Sequence, residues 1–340
     1  MISKYLLFPY YLTLKIRHKL YDSGKIQSRQ WLTPIISVGN VTVGGTGKTP
    51  AVEYILGAFP ENIRTAVISM GYKRKSKGFV FVETDSDAEM VGDEPLQIKR
   101  KFPKTVVACC KDRCESIDKI LTLPEPPDVI IMDDGFQFRD VTPTKNIMLI
   151  DYSRPIFNDE LLPMGHLRDL PEQIRRADAV IITKCPGYLS EEERRHLIEI
   201  NRIPEKTKVF FSTIEYCQPK AVFEGIGDNR YIYAKDVFVF SGIAKPKPIK
   251  IRLMDSYDDI VSVSYPDHHI FSKSDIRNIW QFGRRHPLYL MLTTEKDAQR
   301  LLHNPWIPKQ MKVRTFYLPI KMSFLEESGQ AAFDHWLIYE

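Results

Sequence analysis

Short apolar, β-branched runs alternate with polar, helix-like stretches along most of this chain. Runs at Ile35–Val38, Thr65–Ser69, Thr105–Ala108, Val129–Met132, Ile147–Ile150, Ala179–Thr183 and Val209–Ser212 read as strands. Helices are expected after Lys48, after Glu94, after Asp112 and from Ser190 to Ile200. The alternation is that of a mainly parallel sheet covered by helices, an α/β fold. The stretch Ile214–Lys235 breaks the pattern with Gly, Pro and scattered Tyr, and reads as a β-rich linker over 214–236. A second alternation follows at Val237–Phe240, Ile260–Val263, Leu288–Leu292 and Val313–Tyr317. With 340 residues, two domains are expected: a larger one over 23–213 and a smaller α/β one over 237–340. The last residues of the second are candidates to pack back on the first.

The first 22 residues follow a different pattern. Tyr5 to Leu14 carries no charge, is rich in Leu, Phe and Tyr, and is bracketed by Lys4 and Lys15. It is far shorter than the ~20 apolar residues of a spanning helix. Lys-Ile-Arg-His-Lys follows where a signal peptide would carry a small-residue cleavage site. An amphipathic helix lying in a membrane interface fits the pattern, as does a terminal helix packed on the protein's own core. Pro9 would bend such a helix or mark its first turn.

Charge sharpens this picture. The net charge is +5, and residues 1–30 hold six basic side chains against Asp22 alone, which already gives +5. The other 310 residues therefore balance, with 42 basic and 42 acidic side chains. No basic stripe that would suit nucleic acid is left on the body, whereas cations beside an apolar segment suit anionic headgroups. Five cysteines without a C-x-x-C pair point to a reducing compartment, not to a disulfide frame or a zinc site.

The chemistry concentrates after the first strand. Ile35–Val38 leads into Thr42-Val43-Gly44-Gly45-Thr46-Gly47-Lys48-Thr49, and Lys48 opens a helix. Strand, glycine-rich turn and helix in that order form a phosphate-binding loop, whose backbone N–H groups converge on phosphate oxygens. Lys48 is expected to reach the β- and γ-phosphates of a nucleotide such as ATP, and Thr49 to give its hydroxyl to Mg²⁺. The position of the usual first glycine is Thr42. The apolar run Val129–Met132 ends in Asp133 and Asp134, the carboxylates expected to hold Mg²⁺. A regular strand would point only one of them at the metal; a turn at Gly135 would let both contribute.

Further fragments complete a pattern. They are Tyr21-Asp-x-Gly24, Ser37 through Pro50, Ser69-Met-Gly-Tyr-Lys-Arg74, Gly92-Asp-Glu-Pro95 and Asp133-Asp-Gly-Phe-Gln137. Leu161-Leu-Pro-x-Gly-x-Leu-Arg168, Asp267-His-His-x-Phe271 and Thr294-Glu-Lys-Asp297 follow. In order and spacing the chain resembles the tetraacyldisaccharide 4′-kinase family of lipid A biosynthesis, whose phosphate loop also carries threonine at the position of Thr42. Two positions depart from that family: Met70 stands where it commonly has arginine, and His166 where it has proline.

The resemblance implies transfer of the ATP γ-phosphate to the 4′-hydroxyl of a membrane-embedded acylated glucosamine disaccharide 1-phosphate. It further implies a peripheral enzyme on the cytoplasmic face of a Gram-negative-type inner membrane, with no obligate protein partner. Asp93 is then the expected base, assisted by His268 held by Asp267. Read without the family, Gly92-Asp-Glu-Pro95 is a turn with Asp93 capping a helix. Arg74, Gln137 and Arg168, with Arg139 and the Lys73–Lys77 cluster, are candidates to face the sugar phosphate. Thr294-Glu-Lys-Asp297 reads as a turn and helix cap, with a site role near the acceptor as the alternative. The competing reading of the whole chain is a nucleotide-driven switch or chaperone without a sugar acceptor.

Overall fold

The computed structural model describes residues 2–243 and 247–340, with residues 2–7 and 247 described by backbone alone. Tyr5 to Leu7 of the expected anchor thus have no side-chain description, and Met1 lies outside the described residues. The chain begins with α1 (Ile2–Asp22), which contains Pro9. Then come β1 (Ile35–Gly39), α2 (Lys48–Ala58), β2 (Thr65–Ser69), β3 (Val80–Phe81), α3 (Ala88–Val91), α4 (Asp93–Lys101) and β4 (Val106–Cys109). They are followed by α5 (Arg113–Leu121), β5 (Val129–Asp133), β6 (Lys145–Asp151), β7 (Ala179–Thr183), α6 (Glu191–Ile200) and β8 (Lys208–Tyr216).

Each central strand of this first lobe is an uninterrupted buried run, because a parallel sheet is covered on both faces. β1 lies at the centre, parallel to β5 on one side and β6 on the other. The register places Val38 opposite Asp133. The carboxyl ends of these two strands therefore meet at the same edge, which is where parallel α/β sheets bind ligands.

The chain then leaves this sheet to build a second lobe. It consists of β9 (Lys220–Ala221), β10 (Asp236–Ser241), α7 (Lys247–Leu253), β11 (Asp259–Ser264), α8 (Lys273–Arg285), β12 (Leu290–Thr294), α9 (Glu295–Leu302), α10 (Lys309–Arg314) and β13 (Thr315–Leu318). Its five-stranded sheet runs in the order β11-β10-β12-β13-β9, with β9 antiparallel. Over 214–236 the extended residues are the end of β8, the two-residue β9 and the first residue of β10, and Asn229–Tyr233 forms a 3-10 turn.

β14 (Ile320–Phe324) then returns to the first sheet and pairs antiparallel with β8. α11 (Glu327–Tyr339) closes the chain, and its Phe333, Trp336 and Leu337 enter the same core as Val52 and Ile55 of α2. The nine-stranded sheet thus runs β14-β8-β7-β6-β1-β5-β2-β4-β3. The second lobe is an insertion between two neighbouring strands. Its entry and exit touch where the Cys217 N–H donates to the Pro319 carbonyl at 2.9 Å.

No described helix is long and apolar enough to cross a membrane. One face of α1 lies on the first lobe. Leu14 joins its core, His18 Nε2 meets Asp169 at 2.6 Å, and the Tyr10 hydroxyl donates to the Arg168 carbonyl at 2.9 Å. Phe8, Leu12 and Ile16, spaced by four along the opposite face, stay exposed.

Candidate active site between the two lobes

The phosphate loop is built as its sequence demands. Gly47 caps α2 with φ +89°, a conformation that L side chains rarely adopt. Asn40 Nδ2 donates to Thr46 Oγ1 at 2.6 Å, and Thr183 Oγ1 donates to the Thr46 carbonyl at 2.8 Å. Thr42 needs no glycine because the chain is extended there: it bridges Leu167, and the Val43 N–H donates to the His166 carbonyl at 2.7 Å. The segment carrying Leu161 to Arg168 therefore buttresses the entrance of the loop.

Three residues that the sequence reading did not single out hold the loop from outside. Lys184 Nζ reaches the Gly45 carbonyl and, at 2.8 Å, Asp151 Oδ2. Arg154 Nη1 reaches the Val43 carbonyl at 3.4 Å. Their signal was positional: Asp151 ends β6 and Lys184 follows β7, the two strands beyond β1.

Asp133 and Asp134 diverge at the end of β5. Asp133 is buried; its Oδ2 accepts from Ser69 Oγ at 3.1 Å, and its Oδ1 has no hydrogen-bond partner. Burial, with the charges of Glu94 and Asp134 adding to it, pushes its carboxyl up to about 6 against the pull of Lys48. Asp134 has φ +53° and turns to meet Lys48 Nζ at 3.8 Å and Arg168 Nη1 at 2.8 Å. Burial raises its carboxyl, but Lys48 and Arg168 outweigh this and hold it below the usual carboxylate range. An orphaned buried carboxylate oxygen beside a second carboxylate, with Thr49 at the start of α2, suits a hard divalent cation such as Mg²⁺.

The lobes meet at the N-terminus of α4. Gly92, with φ +93°, occupies the cap, so Asp93 is the first helical residue and does not cap the helix with its side chain. The Asp93 carboxylate is buried and faces the second lobe. His268 Nδ1 lies 3.3 Å from its Oδ2, and Arg300 Nη2 pairs with the same oxygen. Burial pushes the carboxyl up, but the His268 hydrogen bond and the charges of Arg300 and Lys296 prevail and hold it well below the usual range. His268 itself has φ +61°, and its Nε2 is 3.8 Å from Asp267 Oδ2. His269 points elsewhere, to Asp275 at 2.9 Å.

Beside Asp134, a cleft of about 210 Å³ is lined by Leu14 and Arg17 of α1, Met70, Gln137, Phe138, Arg168 and Asp169. Gln137 and Arg168 thus share a wall, and Met70 adds an apolar surface to it. Arg74 is not part of it: its guanidinium binds the Gly78 carbonyl and, at 3.0 Å, Ser76 Oγ within its own loop. Arg139 is likewise engaged, with His18 at 3.1 Å and Asp22 at 2.7 Å, so it fastens α1. Lys75 pairs with Glu89, while Lys73 reaches the Asp267 carbonyl at 3.4 Å.

Arg300 escaped the sequence reading, and Lys296 entered it only as part of the Thr294–Asp297 turn. Thr294 does cap α9, with its Oγ1 accepting from the Asp297 N–H at 3.1 Å. The same helix then turns Lys296 to Glu94 and Arg300 to Asp93 across the lobe boundary. Their i, i+4 spacing was the available signal, but it is shared by any solvated helix face.

This geometry accompanies a full-length likeness. The chain matches the family described as tetraacyldisaccharide-1-P 4′-kinase over residues 4–338. The chain belongs to this family. It is 39% identical over 325 residues to the tetraacyldisaccharide 4′-kinase of Parabacteroides distasonis, covering 93% of this chain and 88% of that one. The enzyme of the same name from Bacteroides thetaiotaomicron is 36% identical over 343 residues, covering 97% and 90%. Among solved structures, LpxK from Aquifex aeolicus in complex with ATP matches with a TM-score of 0.75 and 28% identity, covering all of both chains. As a member, this chain is a kinase of lipid A biosynthesis, the family that phosphorylates the lipid A precursor at its 4′ position.

Proposed function

We propose that this chain moves the γ-phosphate of ATP to the 4′-hydroxyl of an acylated glucosamine disaccharide 1-phosphate at the inner face of a bacterial inner membrane. The observation that carries this reading is the meeting of Asp93 and His268, from different lobes, at the sheet edge that also holds the phosphate loop. A switch protein has no need of such a pair.

In this reading the N–H groups of Gly44, Gly45, Gly47 and Lys48 cradle the phosphates, while Thr42 and Val43 hold the loop to the Leu161–Arg168 segment, and Lys48 leaves Asp134 for the β- and γ-phosphate oxygens. Thr49, Asp133 and Asp134 would hold Mg²⁺, which when bound neutralises charge on the transferring group. Gln137 and Arg168 face the acceptor head from the cleft beside Asp134. Asp93 accepts the proton of the acceptor hydroxyl, with His268 to share it and Asp267 to orient the imidazole. As the acceptor oxygen bonds to the γ-phosphorus, the bond from that phosphorus to the bridging oxygen breaks and ADP leaves. Closed lobes keep water from competing. The exposed Phe8, Leu12 and Ile16 of α1, with Lys15 and Lys19 further along the helix, set the chain on the lipid surface where its acceptor resides.

The test is incubation with labelled ATP, Mg²⁺ and the acylated disaccharide 1-phosphate in detergent. Label should pass to the lipid, and Asp93→Ala should lower the rate by about 10²–10⁴-fold while nucleotide binding persists. A variant within a few fold of wild type would remove Asp93 as the base. Triphosphate hydrolysis at full rate without acceptor would favour the switch reading.

A further inference from the structure

We propose that Arg300 is a positioning residue for the transfer: carried by the second lobe, its guanidinium fixes the Asp93 carboxylate of the first as an anion with one oxygen left open. This rests on the reading of Asp93 as the base. The Arg300 side chain is only 8% exposed, and it is forked. Its Nη1 donates to Asp297 Oδ1 at 2.7 Å and to the Gly242 carbonyl at 3.3 Å. Its Nη2 pairs with Asp93 Oδ2 and lies 3.3 Å from His268 Nδ1.

The anchor of this fork is itself fixed. Asp297 has no exposed surface, and its Oδ2 accepts from the Gly242 N–H at 3.0 Å and from Thr294 Oγ1 at 2.6 Å. Arg300 therefore cannot swing with solvent; a rigid planar group joins one immobile carboxylate to another. His268 and Arg300 both meet Asp93 at Oδ2, and among the described residues Oδ1 accepts no hydrogen bond. That leaves Oδ1 for the hydroxyl of the acceptor.

The charges around Asp93 decide its form. Arg300, Lys296 and, when protonated, His268 face it as cations; Asp297 and Glu94 stand behind two of them as anions. A guanidinium does not deprotonate in the working range of the enzyme, so it keeps Asp93 able to accept a proton. Without it, two buried carboxylates would share a site and one would take up a proton early. In a loose transfer the hydroxyl gives up its proton late, so an oriented anion serves better than a strong base. Because Arg300 arrives on α9, Asp93 is set this way only while the lobes are docked.

The experiment is a set of pH–rate profiles on the full chain in detergent, with ATP, Mg²⁺ and the lipid acceptor. Arg300→Gln is expected to lower kcat about tenfold or more with KM for ATP nearly unchanged. It should also move the acid limb of kcat to higher pH by about one unit. Arg300→Lys keeps the charge but loses the fork, so its acid limb should stay near wild type while kcat falls between the two. A wild-type acid limb and kcat in Arg300→Gln would overturn the proposal. Should that variant fail to show an ATP-induced melting shift, Arg300→Lys decides alone: full wild-type kcat overturns positioning by the fork, and the intermediate kcat supports it. Asp93→Asn separates the two claims. Wild-type rate there removes the base reading itself, whereas an impaired Asp93→Asn beside a normal Arg300→Gln removes only the role of Arg300.

Discussion

Glu53, on α2 of the first lobe, lies buried at the lobe boundary within reach of Lys101 at 2.6 Å and Gln97 at 2.8 Å. Glu295 of the second lobe shares the same lysine at 3.4 Å. Two carboxyls face one ammonium, so one carboxyl lacks a counter-charge. Burial, reinforced by Glu295, pushes Glu53 up to about 7 even against Lys101, and burial raises Glu295 too. A raised folded-state value means that the native state keeps a proton the unfolded chain has already lost. The stability is fully present below the unfolded value near 4.5 and declines as pH rises toward about 7. Glu53→Gln removes that titration. Gln97 Oε1 is unpartnered, so Gln97 can flip its amide to accept from the new one. The variant should melt about 2–5 °C above wild type at pH 8 and lose that advantage near pH 4.5, by calorimetry across the range. A constant difference at all pH values would show that Glu53 stays ionised.

At the scale of elements, the strands and the phosphate loop were legible because parallel strands must be apolar along their whole length and the loop must be glycine-rich. Asp133 and Asp134 were legible for the same reason, as acids ending an apolar run. Asp93 and His268 were not: one looked like a helix cap, and only the family likeness raised either above a turn residue. Arg74 and Arg139 show the converse limit, since the sequence gives the charge but not its partner, and both are engaged locally. α1 packs one face on the body, as the second reading of its segment expects, and vesicle binding tests the first reading on the other face. Leu14 and His18 hold it to the body, while Phe8, Leu12 and Ile16 face outward. Replacing those three with Ser should weaken binding to vesicles of anionic phospholipid by about tenfold or more with ATP affinity unchanged. Undiminished flotation with such vesicles would exclude this face as the anchor.

For the whole molecule, the decisive feature is that one lobe is inserted into the sheet of the other. The first lobe is completed only after the second has been made, because β14 pairs with β8 and α11 fills the core beside α2. Phe333 is fully buried there, edge-on to Phe210 at 5.1 Å and near Phe324 at 5.0 Å and Tyr54 at 6.0 Å. Tyr54 is bound in turn through its hydroxyl, which donates to Asp334 at 2.9 Å. The end of the chain thus stabilises the helix that Lys48 and Thr49 open. Phe333→Ala should cost about 3–5 kcal/mol in denaturant unfolding, with the loss falling on the first lobe. At low denaturant the folded fraction should bind ATP normally, because neither the phosphate loop nor its braces contact Phe333. Hydrogen exchange locates the loss: amides of β8 and α2 should exchange faster, while those of β10 and β12 in the inserted lobe keep their protection. Faster exchange confined to β10 and β12 would mean that the C-terminal helix supports the second lobe instead.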